Sequence, residues 1–304
     1  MDAQVDRAWK AFLRVHGPTW LVAAAVYGGW IATTLAHRVL PFPLLFAVGG
    51  VLVAWHGSLQ HETIHGHPAG PRWVGAMLGA PSLALWLPYA VYRDTHRRHH
   101  MTEHLTDPAH DPESQLGVRD DLLALGPVGR ALASTQRTLL GRVVLGPPIV
   151  VARFLASELV ELARRTPGRW RAWALHLVGV AIIVVWLIAV AHMPLWKYLV
   201  AFVYPGAGLT LLRSFTEHRA DASRARRTTV VEAGLFFRLL FLNNNFHVVH
   251  HAAPRLPWFE LPERWTRERA SFASEAADLV LPGYGAIVRK HALHPLSQPP
   301  PAMR

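Results

Sequence analysis

His96-Arg97-Arg98-His99-His100 sets three imidazoles within five residues. At helical spacing His96, His99 and His100 stand at i, i+3 and i+4, so all three project from one face. The spacing recurs at His247-Val248-Val249-His250-His251. A third cluster, His61-Glu62-Thr63-Ile64-His65, places histidines at i and i+4. One such pair says little. Three ligand-spaced clusters, each beside an apolar segment, point to bound metal, because histidines scattered over a surface would not gather in this way.

Working outward from the boxes, long apolar runs dominate. Thr19 to Ala36 is about long enough to span a ~30 Å hydrocarbon core, and Phe42 to Leu59 is a second run that delivers the chain into His61. Trp73 to Val91 is apolar too, but a crossing there would put His61 and His65 on the opposite side from the second box. Pro81 and Pro88 also interrupt it. It is therefore read as a re-entrant hairpin, tolerated at membrane depth only if protein covers its broken backbone. The stretch from Thr138 to Leu162 is read as an amphipathic interfacial segment. Ala172 to Ala191 and Lys197 to Leu212 complete four spans.

Arg164, Arg165, Arg169, Arg171, Arg213, Arg219, Arg224, Arg226 and Arg227 crowd one set of span ends, while the loops at 37–41 and 192–196 are poor in arginine. The positive-inside rule makes the dense side cytoplasmic, and all three boxes fall on it. Met1 to Gly17 lacks a signal pattern and reads as a short cytoplasmic helix with Trp9 and Phe12 facing the membrane. The expected fold is an all-α integral membrane protein of about four transmembrane helices, with interfacial or re-entrant helices and a histidine-rich cytoplasmic cap. Inner or plasma membrane is the expected location.

Composition agrees. Of 304 residues, 51% are apolar and only 17% charged, against about 25% charged in soluble domains. The net charge of +11 suits a membrane surface, and no nucleic-acid partner is expected. The chain has no cysteine, which excludes disulfides, thiolate-bound iron–sulfur clusters and Cys-bound zinc.

Nitrogen-only ligand sets suit Fe, Zn or Cu rather than Mg or Ca. The boxes offer eight histidines, too many for one ion and about right for two. His218, just past the last span, makes a ninth candidate. His56 reads as a packed histidine with a weaker claim as ligand, and His67, His104 and His110 stand off the spacing. Glu62 and Asp94 are the candidate catalytic carboxylates. With Asp107, Asp111, Glu217 and Asn243 to Asn245, they are candidates to accept the far ring N–H of ligating histidines. Trp86, Tyr89, Tyr92 and the Phe-rich segment at 235–242 are candidate walls of a substrate groove.

On these motifs (HETIH, HRRHH and HVVHH in a four-span hydrophobic chain) the sequence resembles the membrane fatty acid desaturase superfamily over about residues 42 to 260. The resemblance implies two non-haem irons held by histidines, O2 as co-substrate and attack on an unactivated C–H bond. It implies a ninth ligand where His218 stands. Residues 1–260 are read as one membrane-embedded desaturase-like domain and 261–304 as a C-terminal cytoplasmic cap, with the proline-rich Pro295 to Arg304 a disordered tail. No His-Pro-Gly-Gly haem signature occurs, so an external electron donor, a ferredoxin or similar acidic carrier, is expected on the basic face. The favoured substrate is a fatty acyl lipid.

The segment His104 to Pro112 is also similar to that of bacterial carotenoid oxygenases and of dihydrorhizobitoxine desaturase, which keeps a carotenoid hydroxylase or ketolase, or a small-metabolite desaturase, as alternatives. From another class, His61-Glu62-Thr63-Ile64-His65 has the HExxH form of an intramembrane zinc protease with Glu62 as base, and clustered histidines also fit a metal transporter. The protease leaves both HxxHH boxes unexplained, and the transporter wants more polar residues within the spans.

Overall fold

The computed structural model describes residues 2–114 and 121–295, with side chains from residue 16 onward. The side chains of Trp9 and Phe12 and the tail beyond residue 295 lie outside the described residues. Twelve helices in this numbering carry the described chain. They are α1 (Asp2–Leu35), α2 (Phe42–Ile64), α3 (Arg72–Gly79), α4 (Tyr89–Met101), α5 (Gly126–Thr135), α6 (Leu139–Ala163), α7 (Arg169–Val190), α8 (Leu195–Glu217), α9 (Leu235–Leu240), α10 (His247–Ala252), α11 (Leu261–Ala276) and α12 (Tyr284–His291). The last five residues of α7 and residues 199–203 of α8 are wound as π-helix. A two-residue parallel pair joins β1 (Val230–Val231) to β2 (Val280–Leu281).

Among the described residues four helices are long and apolar enough, by length and composition, to cross a bilayer: α2, α6, α7 and α8. By that measure 19–36, read from the sequence as a span, is left out, and 138–162, read as interfacial, is included. The run after Pro18 is diluted by Gly28, Gly29, Thr33 and Thr34, whereas 15 of the 25 residues of α6 are Leu, Val, Ile or Ala. Position in the bundle nevertheless separates α6 from the others. The turns α1–α2 and α7–α8 meet at one end, where Lys197 Nζ donates to the His37 carbonyl at 2.8 Å. The boxes lie at the other end. Near its start α6 donates from Leu140 N–H to the Ala292 carbonyl at 3.0 Å. Near its finish Glu158 pairs with Arg169, at the start of α7, at 3.4 Å. Both ends of α6 therefore stand at the boxed end. Pro147 and Pro148 interrupt its backbone ladder, the usual cause of a bend. Its Val144 carbonyl takes the Tyr204 hydroxyl of α8 at 2.8 Å.

The hairpin between α3 and α4 enters the bundle without crossing it. Four carbonyls, two at the end of α3 and two in the hairpin, are met by side chains from neighbouring helices. Tyr27 donates to Leu78, Gln60 to Gly79 at 2.7 Å, Tyr198 to Leu83 at 2.7 Å, and the His176 ring lies 3.0 Å from the Leu85 carbonyl. Satisfied carbonyls are what allow irregular backbone at this depth. Leu83 is buried beside Leu187, Met193 and Tyr198, so the hairpin reaches nearly to the far end and returns in time to aim α4 at α2.

Residues 261–295 pack back onto the boxed end. Trp265 stacks on Phe246, and Tyr284 on Phe237. A labelling experiment checks the arrangement, because the chain has no cysteine of its own. Glu103 and Ser223 are exposed at the boxed end, and Val39 (82% exposed) and His192 at the other. Glu103→Cys and Ser223→Cys are expected to react with an impermeant thiol reagent from the cytoplasm only, and Val39→Cys and His192→Cys from outside only. Ser223→Cys and Val39→Cys labelled from one side would break the arrangement.

Candidate metal centre

Two groups of histidines converge where the ends of α2 and α8 meet α4 and α10. His61, His65, His96, His100 and His250 form the first, and His99, His218, His247 and His251 the second. Within each group the potential ligand atoms lie within 4.8 Å of one another. The helical spacing explains the partition. On α4 the i,i+4 pair His96 and His100 serves the first group, and His99, a third of a turn away, serves the second. On α10 the roles reverse: His247 and His251 join the second group and His250 the first. His61 and His65 come from the last turn of α2. His218 follows α8 in extended conformation and is held by a bridge to Thr228.

The ring nitrogens are oriented by their outer neighbours. His99 Nδ1 lies 2.8 Å from Asp111 Oδ1, and His96 Nδ1 3.1 Å from Glu113 Oε1. His218 Nδ1 faces the Arg227 carbonyl at 3.2 Å, and His247 Nδ1 the Asn244 Oδ1 at 3.2 Å. All four partners accept, so each Nδ1 carries the hydrogen and each Nε2 is a bare lone pair. Asn244 is itself fixed, donating to Glu217 Oε1 at 2.9 Å, and Arg213 lies 2.9 Å from the same oxygen.

Those lone pairs crowd together. His218 and His247 Nε2 are 3.0 Å apart, and His247 and His251 3.2 Å. In the first group His65–His96, His96–His100 and His100–His250 stand at 3.0, 3.1 and 3.1 Å. His218 and His247 cannot hydrogen-bond each other, since neither Nε2 has a hydrogen to give. Repulsion between them is relieved by a cation. Separations near 3 Å also match neighbouring ligands about 2.1 Å from one ion. His61 Nε2, buried in the midst of the first group, has no hydrogen-bond partner among the described residues. The donor set therefore fits two borderline transition ions.

The imidazoles are kept neutral as ligands require. Burial, then the neighbouring rings, hold His65, His100, His218, His247, His250 and His251 below the ordinary histidine value of 6.5. His99 is the exception: burial lowers it, but the Asp111 hydrogen bond and nearby carboxylates raise it on balance. Asp111 and Glu113, despite burial, are held below the usual carboxylate range by His99 and His96 respectively, so both remain acceptors. Above pH 6.5 the six rings are neutral both folded and unfolded. Below it the unfolded chain takes up protons that the folded site refuses, so stability falls with pH. Metal-free protein is expected to melt progressively lower from pH 7 to pH 5, and an unchanged melting temperature would contradict these shifts.

Several residues singled out in the sequence stand elsewhere. Asp94 belongs to neither group: its side chain is 66% exposed, faces Arg98 at 3.7 Å and lines a cavity beside the second group. Asp107 bonds the exposed His110, not a ring of either group. Glu62 is buried, 3.8 Å from His61 Nδ1, and accepts from the Trp258 N–H at 3.4 Å. His56 and His67 lie outside both groups, on Tyr27 and the Arg255 carbonyl. Of the three asparagines, only Asn244 meets a ring of either group. Asn243 holds the Trp258 carbonyl and Asn245 that of Val231. The sequence reading missed Glu113, whose only signal was its place one turn after Asp107-Pro108. His61 and His65 share their group with three further histidines, more ligands than a zinc protease site uses.

A cavity of about 710 Å³ opens beside the second group. Val53, Trp86, Leu87, Val151 and Phe154 line its apolar part, and His96, His99 and His247 its inner end. Of the expected walls, Trp86, Tyr92 and Phe241 line it, while the Tyr89 hydroxyl lies 3.0 Å from Thr63 Oγ1. No curated protein matches the chain. A model of the family described as fatty acid desaturase matches residues 36–277.

Proposed function

Because the chain belongs to the fatty acid desaturase family, we propose that it is an O2-dependent membrane oxidoreductase that introduces a double bond into an apolar chain, with a fatty acyl lipid the favoured substrate. The observation that carries the reading is the sorting of nine histidines into groups of five and four with opposed ring nitrogens. Each group holds one non-haem iron in this reading. When bound, the irons supply O2 reduction and C–H cleavage: two hydrogens leave adjacent carbons, two electrons and two protons arrive from outside, and O2 becomes two waters.

The chain's own residues prepare that chemistry. Asp111, Glu113 and Asn244 hold hydrogens at Nδ1 and so present Nε2 to metal. Trp86, Leu87 and Phe154 orient an apolar chain against the inner end of the cavity. The hairpin and α6 cover that cavity and keep bulk water from it. Arg93 and Arg97, exposed at i and i+4 on the outer face of α4, support docking of an acidic electron carrier on the cytoplasmic side by charge attraction.

Lipid profiling of cells with and without the protein tests the reading. A new unsaturated acyl species is expected under air and absent under nitrogen. Oxygen-independent products, or a hydroxylated carotenoid in place of an alkene, would overturn the desaturase assignment.

A further inference from the structure

His56 stands on α2 five residues before His61, about 7.5 Å further from the boxed end at about 1.5 Å per residue. It is 1% exposed and lines the cavity. Its Nε2 is 3.1 Å from the Tyr27 hydroxyl, whose single hydrogen goes to the Leu78 carbonyl. Toward His56 that oxygen can only accept, so Nε2 carries the ring hydrogen and Nδ1 is a bare lone pair. Among the described residues no hydrogen bond to Nδ1 is formed, and the side chain that carries it lines the cavity.

Other polar side chains on this wall spend their donors on backbone. Ser58 donates to Leu240 at 2.8 Å, Gln60 to Gly79 at 2.7 Å, and Thr210 to Gly206 at 3.1 Å. His56 differs in holding out an acceptor at membrane depth with its tautomer fixed from behind. An unpaired buried acceptor weakens the fold and gives nothing to a plain hydrocarbon. A ligand that donates to it recovers the missing bond.

We propose that the substrate bears a hydrogen-bond donor, a hydroxyl foremost, on the part of its chain lying deeper in the membrane than the reacting carbons, and that His56 Nδ1 accepts it. The proposal rests on the cavity being the substrate site and makes His56 a specificity residue, apart from the metal ligands.

The test compares octadecanoyl lysophosphatidylcholine with a series carrying one hydroxyl at successive chain positions, using full-length protein in nanodiscs. Binding and KM are both measured. One positional isomer, or a short run of them, is expected to bind about 2- to 12-fold more tightly than the plain chain, the range of one neutral hydrogen bond. His56→Leu should erase that preference while keeping plain-chain affinity. Tyr27→Phe, which frees the tautomer, should reduce it, and keeps the test alive if His56→Leu does not fold. Equal binding of every isomer, or a preference that survives in His56→Leu, overturns the proposal and leaves the desaturase reading standing. Conversely, a His56-dependent preference without any O2-dependent product would sink the desaturase reading alone.

Discussion

His96→Ala is expected to leave no measurable O2-dependent turnover and to lose metal from the first histidine group, and His247→Ala to do the same through the second. His96 sits between His65 and His100, with Nε2 at 3.0 and 3.1 Å from theirs, and is anchored by Glu113 behind it. Alanine removes a ligand and also leaves the Glu113 carboxylate without its partner. No water replaces it well, since His96 is 3% exposed. His61, His65, His99, His100, His218, His250 and His251 are expected to behave alike. Glu113→Gln and Asp111→Asn keep an acceptor but lose the charge, and should cost about 10- to 100-fold in rate or metal retention. His110→Ala and His192→Ala, both exposed and outside the two groups, serve as controls that keep most activity. Product formation and metal per chain, measured side by side, decide it. Full activity in His99→Ala with a dead but fully metallated Glu62→Gln would favour a protease instead.

Protein purified without oxygen is expected to carry about two irons per chain, and chelation is expected to abolish activity and stability together. Without a cation, the His218 and His247 lone pairs face each other at 3.0 Å, with His251 3.2 Å from His247. The cation turns that repulsion into bonds, and binding to the folded state alone adds its free energy to stability. A linkage of several kcal/mol at about 2–4 °C per kcal/mol lowers the melting temperature by about 10 °C on removal. Metal analysis and calorimetry before and after chelation read both effects. One zinc per chain, with activity unaffected by loss of iron, would refute the di-iron reading.

Much of the molecule was legible in one dimension. Spacing within a helix is a local property, so i, i+3 and i+4 determined which imidazoles share a face on α4 and α10. Apolar run lengths located α2, α7 and α8, and the need to unite the boxes on one side forced the hairpin between α3 and α4. Proline and the demand for a common face sufficed there, before any side chain was seen to cap Leu83 or Leu85.

Other features depend on segments far apart in sequence. That His99 leaves its box-mates to join His218, while His250 crosses to His61, follows from how α4 lies against α10, and no spacing encodes a crossing. Sequence reasoning offered Asp94 as a ring partner and passed over Glu113. Asp94 pairs with Arg98 on its own helix, and the return of the loop after α4 brings Glu113 to His96. Length and composition alone class α6 with the spans, because they do not record that both its ends meet the same end of the bundle, as its interfacial reading required. The free nitrogen of His56 exists only because Tyr27, 29 residues away, gives its hydrogen to Leu78. Local periodicity thus determined the ligands and their faces. Only the tertiary structure decided how they divide between two sites and what stands behind each ring, since both depend on contacts between elements and not on the order of residues within one.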